Sequence, residues 1–239
     1  MQHQVIILIG PPGAGKGTQA DLLANDFGFY HLESSKVLEE KIKNGDPSDP
    51  VMAQAQADYK AGKLIDGNVV AKWITEKLGK IGATQSMVLS GSFRTIPEAE
   101  THLPFMEKLF GKENVHIVEI KVSEDDSVSR NVARRICKAN RHPIPNFPEF
   151  ENITTCPRDG SELIKRSLDT EETMRVRYAT YMKETAPVLD YFRNHGYTII
   201  EVNGEQPIRD VHNELVSKLH ATEHPDLERK LNDSIRTAN

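Results

Sequence analysis

Residues 10–19, GPPGAGKGTQ, follow directly on the apolar run VIILI at residues 5–9. The run reads as a buried strand. A strand that ends in a glycine-rich turn and then opens into a helix aims consecutive backbone N–H groups, together with the positive end of the helix dipole, at one point. That point suits a chain of phosphates. Gly10, Gly13, Gly15 and Gly17 permit the tight positive-φ path, Lys16 is placed to bridge terminal phosphates, and Thr18 offers a hydroxyl beside a magnesium ion. The general spacing G-x-x-x-x-G-K-[ST] is broken once, because Gly17 separates Lys16 from Thr18. The helix is still legible: Ala20, Leu23, Ala24 and Phe27 fall on one face, and Gly28 is a natural stop.

Working outward, MVL (87–89), VHIVEI (115–120) and YTIIEV (197–202) read as further buried strands, with longer helical patterns between them. Such alternation predicts an α/β fold, a doubly wound parallel sheet covered by helices. Two stretches interrupt it. Residues 34–63 form a small helical insert whose NGDPSDP marks a turn between helices, and residues 137–166 hold four prolines and both cysteines with little periodicity. The core is therefore expected at 1–33, 64–136 and 167–222, with a polar extension at 223–239 that reads as a surface helix or a frayed tail.

The 239 residues, 38% hydrophobic and 27% charged, suffice for one sizeable core. A net charge of -5 and a pI near 6.0 give no global pull toward nucleic acid or anionic membrane, so any polyanion site must be local. The N-terminal apolar run is too short for a membrane span and lacks the features of a signal peptide, which makes the cytoplasm the expected compartment. There, Cys137 and Cys156 read as a metal site or plain thiols rather than a disulfide.

GPPGAGKGTQA resembles the phosphate loop of adenylate kinases and other nucleoside monophosphate kinases, and further matches follow in order: AGKLIDGNVV (61–70), GSFRTIPEAE (91–100), RNVARR (130–135) and RSLDTEETMRVRYATYMKETAPVLDYF (166–192). The resemblance covers roughly residues 4–220 and implies a kinase core with a monophosphate-binding insert (34–63) and a lid (137–166). It implies magnesium-dependent phosphoryl transfer from ATP to AMP by a monomer, and also leaves open a kinase for another monophosphate, GMP for example, or a nucleotide-binding relative with weak catalysis. Lys16, Arg94, Arg134, Arg166 and Arg177 are the implied catalytic residues. Gly13, Ala14, Gly15, Lys16, Gly17, Thr18, Arg130 and Arg134 would hold ATP; Ser34, Lys36, Lys63, Ile65, Gly91, Arg94 and Glu98 would hold the acceptor. Arginine suits this work because its planar fork binds phosphate oxygens bidentately. Arg175 joins Arg177 on the later helix.

The acceptor side departs from the family. In SSKVLE, Lys36 stands where an aspartate is usual and Glu39 where an arginine is, a charge-swapped pair at i,i+3 that can still form an intrahelical ion pair. Lys36 either replaces the arginine as a phosphate contact or leaves that contact missing. Ser90 replaces the aspartate that steadies the magnesium hydration shell, Ser92 and Phe93 replace phenylalanine and proline, and Leu168 replaces one acid beside Asp169. Glu98 stands where a glutamine reads the adenine edge; an ionised carboxylate only accepts hydrogen bonds, which raises guanine as an alternative acceptor base.

In the lid, Cys137-x2-Asn140 and Cys156-x2-Asp159 sit where many family members carry zinc, but Asn140 is a poor ligand. Either His142 completes a Cys137–His142–Cys156–Asp159 set, or the lid is metal-free and held by hydrogen bonds among the same positions. His31, His102 and His212 show no ligand spacing and read as surface or core residues, Trp73, Tyr178 and Tyr181 as packing, and Pro187 as a bend in the long last helix.

Overall fold

The computed structural model describes residues 3–144, 150–166 and 168–220. The polar extension at 223–239 lies outside the described residues, as do Pro145 and Pro148 of the second insert.

Five parallel strands form the sheet: β1 (Val5–Ile9), β2 (Tyr30–Glu33), β3 (Met87–Ser90), β4 (Val115–Lys121) and β8 (Ile199–Asn203), in the order β2-β3-β1-β4-β8. The central strand β1 is buried throughout, as a parallel strand covered on both faces must be. Its side chains alternate between two cores. Val5, Ile7 and Ile9 pack with Trp73, Ile74, Leu103 and Phe192, whereas Ile6 and Leu8 pack with Ala20, Leu23, Leu215 and Leu219. Helices α4 (Gly67–Ile81), α5 (Ile96–Phe110) and α8 (Ala186–Asn194) supply the first face; α1 (Lys16–Phe27) and α9 (Ile208–His220) supply the second. The chain is the doubly wound α/β fold expected of it.

From β1 the winding runs to β3 and β2 on one side and to β4 and β8 on the other. The strand order therefore reverses beside the carboxyl end of β1, where open α/β sheets bind their ligands. The glycine-rich turn leaves the sheet at that point.

Residues 34–63 carry α2 (Ser34–Asn44) and α3 (Pro50–Lys60), the latter capped by Asp49, whose carboxylate accepts from the Val51 N–H at 2.9 Å. After α6 (Glu124–Ala133) comes a small antiparallel sheet, β5 (Arg135–Cys137) flanked by β6 (Pro143–Ile144) and β7 (Leu163–Ile164). Neither β2 nor these short strands is visible in the sequence pattern: in β2, YHLE, only Leu32 is buried, and the others are two or three residues long. The last helix pair is α7 (Glu171–Thr180) and α8, joined through a π-helical turn at Tyr181–Thr185. Pro187 explains that turn: it cannot donate to the carbonyl four residues back, and the wider turn accommodates its ring. The expected bend is thus a π turn, and it lets the Thr185 hydroxyl donate to the Arg94 carbonyl at 2.8 Å.

Candidate active site

The loop between β1 and α1 turns on glycines with positive φ, 77° at Gly13 and 88° at Gly15, the latter capping α1. A β-carbon on Gly13 would lie 2.4 Å from the Asn131 amide nitrogen and 2.9 Å from the Ser127 carbonyl, so only glycine fits against α6 there. Gly17 corrects the sequence reading: it lies inside α1, outside the positive-φ path. Ser127 donates its hydroxyl to the Pro12 carbonyl at 2.6 Å, and Asn131 donates to the Ser127 carbonyl at 2.7 Å. These two buried polar residues hold the loop from behind, and the sequence reading missed them. Their i,i+4 spacing beside Arg130 and Arg134 is the signal that was available.

The loop opens onto a cavity of about 990 Å³. Gly13 through Thr18, Lys36, Lys63, Ile65, Gly91, Arg94, Glu98, Arg130, Arg134, Arg166 and Arg177 all line it, so residues far apart in sequence meet on one space. Lys16 donates to the carbonyls of Gly10 and Pro11 at 2.6 and 2.8 Å. Burial, and then the charges of Arg94, Arg177 and Arg134, pull its pKa down to about 7. Arg177 is lowered to about 10 by burial and by Arg94, Arg166 and Arg134, and Arg166 is lowered by burial and Arg134. Buried Asp169 answers part of this charge, accepting from Arg134 at 2.7 and 3.2 Å with Arg177 at 4.0 Å. Cations forced together in this way are poised for a polyanion. Arg130 donates to the Gly204 carbonyl at 2.7 Å, at the rim, while Arg175 turns outward to Glu171 and Glu124 and does not line the cavity.

On the opposite wall, Arg94 is fixed by a bond from Nε to the Gly91 carbonyl at 2.7 Å. Thr95 caps α5, its hydroxyl accepting from the Glu98 N–H at 3.4 Å, and the Glu98 carboxylate reaches back past it to accept from the Arg94 N–H at 3.1 Å. Burial raises the Glu98 pKa against the opposing charge of Arg94. The i,i+3 pair expected between Lys36 and Glu39 does not form. Lys36 turns back to Glu33 at 2.9 Å, while Glu39 accepts from the Tyr59 hydroxyl at 2.7 Å and meets Arg141 of the second insert at 3.1 Å. Tyr59 and Arg141 come from other elements, and they compete successfully with the local partner. Ser34 is buried with its hydroxyl on that of Ser92, and its neighbour Ser35 faces the cavity instead. His31, unremarkable in sequence, bonds through Nδ1 to Asp21 at 2.8 Å and through Nε2 to the Ser90 hydroxyl at 2.7 Å. Asp21 also accepts from Arg158 at 2.6 Å; although burial opposes it, these bonds from His31 and Arg158 lower its pKa to about 2.

The family model described as adenylate kinase matches residues 8–197. This chain belongs to the adenylate kinase family. It is 33% identical to an adenylate kinase of Bacillus subtilis strain 168 over 210 residues, covering 87% of this chain and 94% of the relative. Against an adenylate kinase of Clostridium botulinum the identity is 34% over 209 residues, 86% and 94% of the two chains. The adenylate kinase of Methanothrix thermoacetophila is 33% identical over 212 residues, 88% and 95% of the two.

In this adenylate kinase family member, the second insert brings four potential metal ligands together. The ligand atoms of Cys137, His142, Cys156 and Asp159 all lie within 4.8 Å of one another. His142 Nδ1 stands 3.6 Å from the Cys137 sulfur, 3.4 Å from that of Cys156 and 3.2 Å from Asp159. The Cys137 sulfur also accepts from the N–H groups of Asn140 and His142, both at 3.3 Å. Hydrogen bonds from Ser161 and Asn140 hold the Asp159 pKa far below the usual carboxylate range. Two thiols, an imidazole and an ionised carboxylate, with backbone N–H groups directed at sulfur, fit a tetrahedral zinc ion. Asn140 instead donates to Asp159 at 2.8 Å and orients it. Among the described residues no helix is long and apolar enough to cross a membrane.

Proposed function

We propose that this adenylate kinase transfers the γ-phosphoryl group of ATP to AMP, reversibly and with magnesium, giving two ADP. The observation that carries the reading is the convergence of Lys16, Arg94, Arg134, Arg166 and Arg177 on one cavity, where burial and then the neighbouring arginines lower the pKa values of Lys16, Arg166 and Arg177. Lys16 and the loop N–H groups take the donor phosphates, Arg94 the acceptor phosphate, and Arg134, Arg166 and Arg177 the group in flight. Arg130 flanks the donor base, and Ser35 and Lys36 border the acceptor. No covalent intermediate is needed, because in-line transfer asks for positioning and charge stabilisation. Magnesium prefers hard oxygen donors and keeps several waters, which the hydroxyls of Thr18 and Ser90 suit; when bound it neutralises charge on the phosphates. The ion pairs of Arg158 with Asp21 and of Arg141 with Glu39 tie the 137–166 insert to the core and to the 34–63 insert, supporting its action as a lid that excludes water. A cytoplasmic monomer is the matching cellular form.

The test is ADP formation from magnesium-ATP with AMP, GMP, CMP and UMP in parallel. AMP is expected to exceed the others by at least about tenfold in kcat/KM. Equal or greater use of GMP would overturn the assignment of AMP. Because the Glu98 carboxylate is held in the helix cap, Glu98→Gln is expected to leave the melting temperature unchanged and to lower the KM for AMP about three-fold, by restoring one donor to the base.

Cys137, His142, Cys156 and Asp159 would hold one structural zinc, pinning the two turns of the lid together. Protein purified without a polyhistidine tag is expected to contain one zinc per chain by elemental analysis, and the Cys156→Ser variant to contain none.

A further inference from the structure

Three side chains from three elements form one continuous hydrogen-bonded chain at the carboxyl edge of the sheet. Asp21 on α1 meets His31 on β2 at 2.8 Å, and His31 meets Ser90 at the end of β3 at 2.7 Å. Ser90 is 4% exposed, yet it lines the same cavity as Lys16 and Thr18. Asp21 lies three residues after Thr18 on α1, so the two share a helix face. Carboxylate, imidazole and hydroxyl thus stand in line, and the hydroxyl is the end that faces the phosphate loop.

The donor and acceptor roles follow from chemistry. An ionised carboxylate only accepts, so the bond to Asp21 places the proton of His31 on Nδ1. In neutral His31, Nε2 is then an acceptor, and the Ser90 hydroxyl must donate to it. That fixes the rotor of Ser90 and leaves its lone pairs free on the cavity side, where a metal-bound water would donate to them. Serine by itself brings no charge to this place. The relay sets the Asp21 charge behind it, much as outer carboxylates orient and polarise histidines next to metals. Arg158 of the 137–166 insert binds the other oxygen of the same carboxylate at 2.6 Å, so Asp21 is fixed from two sides.

We propose that His31 is a positioning residue for the magnesium that accompanies ATP: with Asp21 behind it, His31 orients Ser90 to hold a water of the metal. The proposal rests on the nucleotide reading of the cavity given above. Glu33, which lies beside Ser90 in the strand register, is the rival source of negative charge; its carboxylate is engaged by Ser35 at 2.6 Å and Lys36 at 2.9 Å, whereas the Ser90 hydroxyl bonds to His31.

The test uses the full-length chain and the affinity of its ATP complex for Mn²⁺, read from the electron paramagnetic resonance signal of the free ion, beside the affinity for ATP in the absence of metal. His31→Leu and Ser90→Ala are each expected to weaken Mn²⁺ binding about tenfold while leaving metal-free ATP binding unchanged, and the double variant to be no worse than either single one. His31→Gln, which keeps an acceptor for the Ser90 hydroxyl, is expected to recover most of the loss. Ser90→Asp in the His31→Leu background is expected to restore binding, since a carboxylate at that place needs no relay. Unchanged Mn²⁺ affinity in His31→Leu would overturn the proposal, as would a loss matched by an equal loss of metal-free ATP binding. A loss in Glu33→Gln without one in His31→Leu and Ser90→Ala would assign the role to Glu33. Should His31→Leu fail to fold, His31→Ala and Ser90→Ala carry the same comparison. A wild-type chain that binds ATP neither with metal nor without it would defeat the nucleotide reading itself.

Discussion

Replacing Lys16 by alanine is expected to lower kcat about a thousandfold, the loss seen when one preorganised donor to a developing charge is removed. Lys16 is the residue of the cationic cluster that reaches the loop carbonyls of Gly10 and Pro11, and so it stands between the loop and the arginines. Its charge is costly where it lies, buried among arginines. Burial and three neighbouring arginines lower its pKa to about 7, so an appreciable fraction of the free enzyme carries a neutral lysine near physiological pH. A bound polyphosphate reverses that field and raises the pKa. ATP binding is therefore expected to take up protons around pH 7–8, seen as a binding enthalpy that varies with the ionisation enthalpy of the buffer. The sign is set by the direction of the shift: the protonated lysine binds, so affinity is full below about pH 7 and falls as pH rises above it. In Lys16→Ala this proton uptake should vanish. A steady-state rate within tenfold of the wild type would remove Lys16 from the chemistry.

Acid should destabilise the folded chain through a group far from the phosphates. His102, on α5, has no exposed surface; its Nε2 bonds to the Ala71 carbonyl of α4 at 3.1 Å, and its Nδ1 has no partner among the described residues. Burial, opposed only by that bond, lowers its pKa from 6.5 to about 4. A depressed histidine favours the fold while neutral. Stability is therefore fully present above the unfolded value near 6.5 and is lost as pH falls toward and through about 4, because the unfolded chain takes the proton first. The difference amounts to about 3 kcal/mol, against a total of about 5–15 kcal/mol for a typical domain. His102→Leu should flatten this pH dependence in urea melts between pH 6.5 and 4, and at the acid end the variant should be the more stable protein. A wild type whose urea midpoint does not change over that interval would show that His102 is solvated in solution.

The two outcomes illustrate different reach from the sequence. Lys16 was legible because its loop is local: strand, glycines and helix are contiguous from Val5 to Phe27, and backbone geometry alone aims the N–H groups. The alternating strands were legible for the same reason, each being a pattern within one segment. The family resemblance then joined Arg94, Arg134, Arg166 and Arg177 into one site. Periodicity could not reveal β2 or the strands of the second insert, which are only a few residues long.

Partnerships between segments belonged to the tertiary structure. Lys36 and Glu39 have the spacing of an intrahelical pair, but Glu33, Tyr59 and Arg141 offered each a better-placed partner. His31 looked bland because Asp21 and Ser90, which give it a role, come from a helix and a strand 10 and 59 residues away. Likewise, nothing near His102 in sequence announces that α4 will bury it, and His142 joins Cys137, Cys156 and Asp159 only through the turns of the small sheet. Sequence determined the fold, the phosphate loop and the charge supply, since those are written in local backbone preference and residue type. Which buried groups face one another, and hence which pKa values move, was decided by packing that brings distant segments within hydrogen-bonding distance.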